Sequence, residues 1–456
     1  MLCISVEVHT LHGQPIAGTP VEVPHPRNVT RSGGDEQEAA MSLIIPGRRR
    51  IPFLVCRTVA AERERRERND TVDEVRVGII GVGGMGGAHA SYLMAGEVSG
   101  ARLVAVADTA PEVLGRMEKR YGDALTRFDS AEALLDSGTV DAVIVAAPHY
   151  FHPPLAIAAM ERGIHPLVEK PAGVYTRQVR EMNEAAEKSG LVFGIMFNQR
   201  TRATHQKMRQ IVQSGELGEI KRTHYVITTW FRSQAYYDSG GWRATWAGEG
   251  GGVLVNQSPH NLDLWQWICG MPKRVRAFAG FGRYHNIEVE DDVTAFVEYP
   301  NGATGVFITA TGEAPGTQTF EVVGDRGKLV LEGDGKLTFW RTTQSVSEFL
   351  NTSQDGFAKP ETWECKIPTA GGEEHKGVTK NWIRAIREGT PLLADGREGI
   401  RGVELANAML LSAWTDDWAN VPVDEELFYR ELMQRVESSN TEKKNGSKAL
   451  SFEGTF

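Results

Sequence analysis

The run Gly81-Val82-Gly83-Gly84-Met85-Gly86 constrains this chain more than any other feature. It follows an apolar segment of strand length, opens a segment of helical period, and is followed 22 residues after Gly86 by Asp108 at the end of a second apolar run. A lone G-x-G-x-x-G says little. With strand, helix and acid in register, it is the turn that binds a dinucleotide. Gly81 allows the tight turn, Gly83 lets the backbone approach a pyrophosphate, and Gly86 lets the helix pack close to the strand. Gly84 and Met85 lie with them at the helix start, whose free N–H groups and dipole favour phosphate. A carboxylate at Asp108 accepts hydrogen bonds from ribose hydroxyls and repels a 2′-phosphate. Thr109-Ala110-Pro111 follows without a neutralising base, so NAD is expected over NADP.

From residue 75 onward, strands alternate with helices. Apolar runs at residues 76–80, 103–108, 141–148, 166–169 and 191–197 are separated by helical periods at 88–97, 111–121, 131–135, 154–162 and 177–188. Strands this apolar are buried on both faces, and helical crossovers pair them in parallel. A doubly wound parallel sheet is therefore expected over residues 75–198. After a helix at 201–214 the pattern changes to strands at 222–229, 275–280, 294–299, 304–310, 319–323, 329–331 and 337–341. Asn301-Gly302 and Asp334-Gly335 are hairpin signals among them. Residues 199–436 are thus expected to form an α+β domain with a large, mostly antiparallel open sheet, on which helices at 379–388 and 399–414 pack. The fold class is α/β.

Composition bounds the rest. With 456 residues, 41% hydrophobic and 24% charged, the chain is long enough for two or three domains. Residues 1–74 lack a sustained period and are expected to be a disordered extension, as is the polar stretch 437–456. A formal charge of -9 argues against nucleic acid as a partner. No apolar run approaches the ~18–20 residues of a membrane span. The run after Arg48-Arg49-Arg50 stops at Arg57, short of the ~7–15 apolar residues of an export signal. Cys3, Cys56, Cys269 and Cys365 stand far apart without zinc spacing, which fits reduced thiols in a cytoplasm.

Two further segments carry chemistry. Ala147-Pro148-His149-Tyr150-Phe151-His152, followed by Gly163-Ile164-His165-Pro166-Leu167-Val168-Glu169-Lys170-Pro171, resembles the Glu-Lys-Pro region of the Gfo/Idh/MocA oxidoreductases. Residues 250–263, from Gly250-Gly251-Gly252 through Asn256 and His260 to Asp263, resemble the Gly-Gly-Gly…Asp-x-x-x-His segment of that family. Phe197-Asn198-Gln199-Arg200 and residues 215–220 are further matches, and the resemblance runs from about residue 75 to 423. It implies a Rossmann domain and an NAD(P)-dependent dehydrogenase of sugars or inositols, acting as a homo-oligomer (dimer or tetramer) through its antiparallel sheet. It also implies that Lys170 sits by the nicotinamide ribose and the reacting hydroxyl, that His260 is the general base, and that Asn256 contacts substrate hydroxyls. Pro148, His149, His152 and Glu169 would line the nicotinamide half of the site. His149 stands where asparagine is common. Asn256 stands where aspartate is common, leaving His260 with no carboxylate nearby.

The residue chemistry points the same way. Oxidising a secondary alcohol needs a hydride acceptor and a base near neutrality, which histidine supplies. Ser258-Pro259 reads as an N-cap with proline at the first helical position, placing His260 in a first turn where the dipole disfavours imidazolium. Lys170 falls at the carboxyl edge of the parallel sheet, where its charge stabilises an alkoxide. His149-x-x-His152 lacks a third ligand, so no metal is expected. Trp230, Tyr236, Tyr237, Trp242 and Trp246 serve either as sugar-stacking surfaces or as core, and Arg243 is a candidate substrate contact. Glu288, Glu290, Asp291 and Asp292 read as a solvated turn. The expected activity is NAD-dependent hydride transfer with a polyol or sugar, in the cytoplasm, without membrane or nucleic-acid partners. Two other classes stay open: a glycoside hydrolase using NAD transiently, and a non-catalytic NAD-sensing regulator.

Overall fold

The computed structural model describes residues 74–333 and 335–439. Six strands, β1 (Val75–Ile80), β2 (Ala101–Ala107), β3 (Thr126–Phe128), β4 (Ala142–Val145), β5 (His165–Val168) and β6 (Gly194–Ile195), form one sheet. Its order is β3-β2-β1-β4-β5-β6, with every neighbouring pair parallel. Period-two alternation explains why these strands read as continuous apolar runs. Ala142 and Ile144 join Val77 and Ile79 in one core, while Val143 and Val145 join Ile80 and Ala105 in the other. The order reverses between β1 and β4, so the loops after these strands open the crevice in which ligands of such sheets bind. β3 escaped the sequence reading because it is three residues long and carries Arg127.

The second sheet has nine strands: β7 (Ile220–Ile227), β8 (Arg274–Phe281), β9 (Glu290–Glu298), β10 (Thr304–Ala310), β11 (Gln318–Gly324), β12 (Gly327–Glu332), β13 (Lys336–Thr342), β14 (Thr362–Ile367) and β15 (Ala419–Asn420). They are ordered β14-β13-β12-β11-β7-β10-β9-β8-β15, antiparallel throughout except for the parallel β7–β10 pair. Its inner face is aromatic: Tyr225 stacks on Phe320 with centroids 4.3 Å apart and meets Phe307 edge-on. Asn301-Gly302 makes the β9–β10 turn, with Gly302 at φ 86°. β12 and β13 pair as the hairpin signal implied, although Asp334 itself lies outside the described residues. β14 was missed because it is a short, largely exposed edge strand of six residues.

One packing expectation is corrected. The helix Glu374–Glu388 does not lie on the antiparallel sheet. Its apolar stripe, Val378, Trp382, Ile383 and Ile386, completes one core of the parallel sheet, and Thr379 meets Tyr92 of the helix Gly84–Met94 at 2.8 Å. An amphipathic stripe fixes that a face is buried, not which sheet buries it. The helix Gly399–Thr415 does pack with the larger sheet, its Leu405, Met409 and Leu410 in that core. The expectations for residues 1–74 and 437–456 lie almost wholly outside the described residues. Glu74 and residues 437–439 are described, with Glu437 closing the helix Glu425–Glu437. No described helix is long and apolar enough to cross a membrane.

Candidate active site

The glycine turn is built as its spacing requires. Gly81 has φ 84°, and a Cβ there would lie 2.7 Å from the Ala146 carbonyl oxygen. A Cβ on Gly86 would fall 1.8 Å from the Gly81 carbonyl oxygen, so only glycine lets this helix approach its strand. A Cβ on Gly83 would meet nothing within 4 Å, which leaves the approach to the helix open. The helix Gly84–Met94, whose first turn holds Gly84 and Met85, has Gly83 as its N-cap and no side-chain cap bond. Its first N–H groups are therefore available to a pyrophosphate. Asp108 accepts from the Val82 and Ala110 backbone N–H groups, each at 2.9 Å. Each oxygen keeps a lone pair for a ribose hydroxyl. The turn, the uncapped helix and the acid together fit NAD.

At the carboxyl ends of β4 and β5 lies a layer of buried histidines. His149, preceded by Pro148, is buried, with Nδ1 3.3 Å from the Glu249 carbonyl and its ring edge-on to Trp242. Burial, with the charges of His152 and Lys170, holds it well below the usual histidine range. His152 has Nδ1 2.7 Å from the Pro171 carbonyl and Nε2 2.6 Å from the Ala147 carbonyl, so both ring nitrogens are engaged by backbone. Glu169 sits 2.6 Å from His89 Nε2. Burial alone would raise this carboxyl, but the hydrogen bond with His89 and the surrounding electrostatics, Lys170 included, bring it down to about 2. His89 Nδ1 in turn lies 2.7 Å from the Tyr92 hydroxyl. The sequence reading had missed His89 and Tyr92.

Lys170 and Asn256 meet across this layer. Lys170 Nζ donates to the Asn256 backbone oxygen at 2.8 Å. Burial lowers its pKa, Arg243 and Arg232 add to that, and the carboxylates Glu169 and Glu249 oppose it. Asn256 Nδ2 donates to Glu249 and, at 3.3 Å, to the Tyr236 hydroxyl. Glu249 is only 1% exposed. It escaped the sequence reading, yet it supplies a carboxylate beside the position where Asn256 replaces an acid.

His260 lies in the first turn of the helix Pro259–Cys269, with Pro259 near its start and Ser258 at its N-cap. Ser258 makes no cap bond with its side chain and pairs instead with Thr309 at 2.8 Å. The imidazole is buried, its Nδ1 has no hydrogen-bond partner, and Phe197 meets it edge-on. Burial, then the charges of Lys170 and His375, push it well below the ordinary histidine range. The expectation that His260 has no carboxylate nearby is corrected: Glu169 acts on it in the opposite direction, outweighed by burial and the cations.

Arg243 Nη1 donates to the Tyr236 hydroxyl at 2.8 Å, its guanidinium lying over the Tyr236 and Trp242 rings. The aromatic cluster divides. Tyr237 and Trp246 are core, whereas Trp230, Tyr236 and Trp242 keep partial exposure near the site. The acidic segment corrects a second expectation: Glu290 and Asp291 are fully buried. Glu290 accepts from the Gly252 and Leu254 N–H groups at 2.8 and 3.0 Å, and Asp291 accepts from Arg283, Tyr284 and His285. These carboxylates replace turn hydrogen bonds, which a reading of charge alone does not reveal. Among the described residues, no group of three or more metal-ligating side chains occurs.

Comparison with known proteins matches this architecture. An NAD-binding Rossmann-fold oxidoreductase family model covers residues 75–197, and the Gfo/Idh/MocA C-terminal domain model covers 205–330. D-glucoside 3-dehydrogenase of Escherichia coli is 32% identical over 231 residues, 47% of this chain and 63% of that protein. Levoglucosan dehydrogenase of Pseudarthrobacter phenanthrenivorans is 25% identical over 353 residues, 70% of this chain and 89% of its own length. The crystal structure of the WlbA dehydrogenase from Bordetella pertussis, in complex with NADH and UDP-GlcNAcA, superposes with a TM-score of 0.66. It is 25% identical and covers 77% of this chain and all of its own. With the two models together spanning more than half of the sequence on an uncapped glycine turn and its acid, this chain belongs to the Gfo/Idh/MocA family of NAD-binding oxidoreductases.

Proposed function

We propose that this protein oxidises a secondary alcohol of a polyhydroxylated ring, a sugar, cyclitol or glycoside, or reduces the corresponding ketone. NAD supplies the hydride acceptor at nicotinamide C4. As the carbinol C–H bond breaks, the hydroxyl proton passes to His260 and the carbonyl forms; in reverse His260 returns that proton. A base must be neutral before it accepts, and the burial and cationic surroundings of His260 keep it so at neutral pH. Lys170 orients the hydroxyl and stabilises the developing alkoxide. The Asn256 side chain, fixed by Glu249 and Tyr236, positions neighbouring hydroxyls, and Pro148, His149 and His152 wall the nicotinamide half.

The observation that carries this reading is the buried His260 imidazole, with an unpartnered Nδ1 and the charge of Lys170 acting on it. A buried polar atom without a partner is costly unless a ligand completes it. NADH formation over a panel of inositols, aldoses and glycosides identifies the substrate. His260→Ala is expected to lower turnover roughly 10²–10⁴-fold, the ordinary range for general acid–base catalysis, while NADH still binds. Near-normal turnover would remove His260 from the reaction.

The same reading includes a homo-oligomer, dimer or tetramer. Phe278 and Phe296 stand on adjacent strands of the larger sheet, 61% and 38% exposed, which suits an interface between copies. A cytoplasmic setting is consistent with the unbridged Cys269 and Cys365.

A further inference from the structure

Arg232 is absent from the motifs that define the family resemblance, and the hydride-transfer scheme gives it no task. Its side chain makes one hydrogen bond, from Nη1 to the Phe231 carbonyl at 2.9 Å. Its Nε is buried with no partner, and among the described residues no carboxylate pairs with it. Yet it faces the site: its guanidinium lies 5.1 Å from the Tyr236 ring centroid, and its charge acts on Lys170. Tyr236 is the hub of that wall. Its hydroxyl receives Arg243 Nη1 at 2.8 Å, Asn256 Nδ2 at 3.3 Å and Gln257 Nε2 at 3.4 Å, and Arg243 stacks on the same ring from 4.6 Å. With donors crowding its oxygen, the phenol hydrogen is directed elsewhere. Gln257, 5% exposed, also leaves its Oε1 without a partner. This wall therefore holds an unmatched guanidinium donor, a phenol hydrogen and an amide acceptor.

The charges that act most on Lys170 are two carboxylates, Glu169 and Glu249, and two guanidinium groups, Arg243 and Arg232. Both carboxylates act on Lys170, and Glu249 also takes the Asn256 amide, whereas the Arg232 side chain has no carboxylate partner among the described residues. A neutral polyol matches the Gln257 oxygen and its hydroxyls can accept from the Arg232 Nε, but it leaves the guanidinium charge uncompensated. A carboxylate satisfies both, since Nε and an Nη of one guanidinium form a fork that fits two carboxylate oxygens.

We propose that the substrate is a carboxylated polyol, a uronic or related sugar acid, whose carboxylate is held by Arg232 on the Tyr236 wall, with Gln257 Oε1 accepting from a ring hydroxyl. The proposal rests on the alcohol-oxidising reading above and specifies its substrate class. Two measurements separate the two. The NADH-loaded protein is titrated with D-glucuronate, D-glucose and glucose 6-phosphate, with nicotinamide fluorescence as the readout. Glucuronate is expected to bind at least about tenfold tighter than glucose, the usual worth of a charge-assisted hydrogen bond. Arg232→Gln should abolish that preference while NADH affinity is retained, and Arg232→Lys should restore only part of it. Equal affinity for glucuronate and glucose, or a preference that survives Arg232→Gln, overturns the carboxylate assignment. Tighter binding of the phosphate than of the uronate overturns it too. In parallel, NAD reduction is followed with neutral and carboxylated polyols: turnover of neutral polyols alone leaves the redox reading standing and the carboxylate proposal overturned. Tight, Arg232-dependent glucuronate binding without NAD reduction by any compound supports the pocket and sinks the redox reading.

Discussion

Asp108 fastens the glycine turn by accepting from Val82 and Ala110, each at 2.9 Å. The same carboxylate is proposed to select the cofactor at its ribose. Replacing it with serine therefore has a double consequence. Asp108→Ser removes the charge that repels a 2′-phosphate, so the ratio of NADP to NAD affinity should rise. The turn also loses backbone bonds worth about 1.5–3 kcal/mol each to a charged acceptor, so NAD affinity itself should fall. Cofactor Kd values measured by fluorescence quenching check both, and an unchanged ratio would remove Asp108 from cofactor choice. Single residues such as Asp108, Lys170 and His260 were legible because each is fixed by its distance from a turn or a helix start. Glu249, His89 and Tyr92 were not. His89 meets Glu169 across 80 residues of sequence, and no local spacing encodes that contact. Glu249 stands seven residues from Asn256, but an irregular loop brings them together, and loops carry no period to read.

The segment 250–258 is the element that places Asn256 and the start of the His260 helix, and a single carboxyl holds it. Glu290 Oε1 accepts from Gly252 and Leu254 while Oε2, also buried, has no partner. A Cβ on Gly252 would lie 1.9 Å from the Glu290 backbone oxygen, which is why glycine is required where the loop crosses β9. Burial pushes the Glu290 carboxyl up to about 7, with Glu249 adding to it, despite the N–H groups that favour the anion. The sign follows directly. The folded state holds this proton more tightly than the unfolded chain, whose value is near 4.5, so the group's stabilising contribution is present below pH 4.5 and is lost as pH rises through about 7. The loss amounts to about 3 kcal/mol across that window. Glu290→Gln cannot ionise, so its unfolding free energy should fall less between pH 4.5 and 8 than that of the unaltered protein. Parallel pH dependences in urea melts would show that Glu290 does not titrate in this range. The glycine run was readable as a family motif; the acid beneath it read as a surface turn, because charge in a sequence does not reveal what a buried strand edge demands.

At the scale of the whole molecule, the parallel sheet and the larger sheet were both legible from their hydrophobic periods. Their coupling was not, and a buried part of it runs through Arg200. This fully buried guanidinium follows β6 directly and reaches into the site helix, with Nε 2.8 Å and Nη2 2.6 Å from the two oxygens of Asp263. It also donates to Glu398 and to the Leu393 carbonyl, and lies between the Phe197 and Trp267 rings. Asp263 is three residues beyond His260 on the same helix, so the pair fixes that helix, and His260 with it, to the edge of the parallel sheet. Removing one partner leaves the other charge buried without compensation. Arg200→Ala should accordingly cost about 3–5 kcal/mol, read as a lowered urea midpoint. Replacing both partners by apolar groups, as in Arg200→Met with Asp263→Leu, should recover most of that loss, since no buried charge is then stranded. The two outcomes together separate an ion pair from mere packing. If the single variant falls as predicted and the double variant falls further, the rings and the aliphatic stem of Arg200 hold the junction. If the single variant stays within about 1 kcal/mol of the unaltered protein, less than any uncompensated buried charge costs, the helix carrying His260 is tied to the cofactor sheet by something other than this pair.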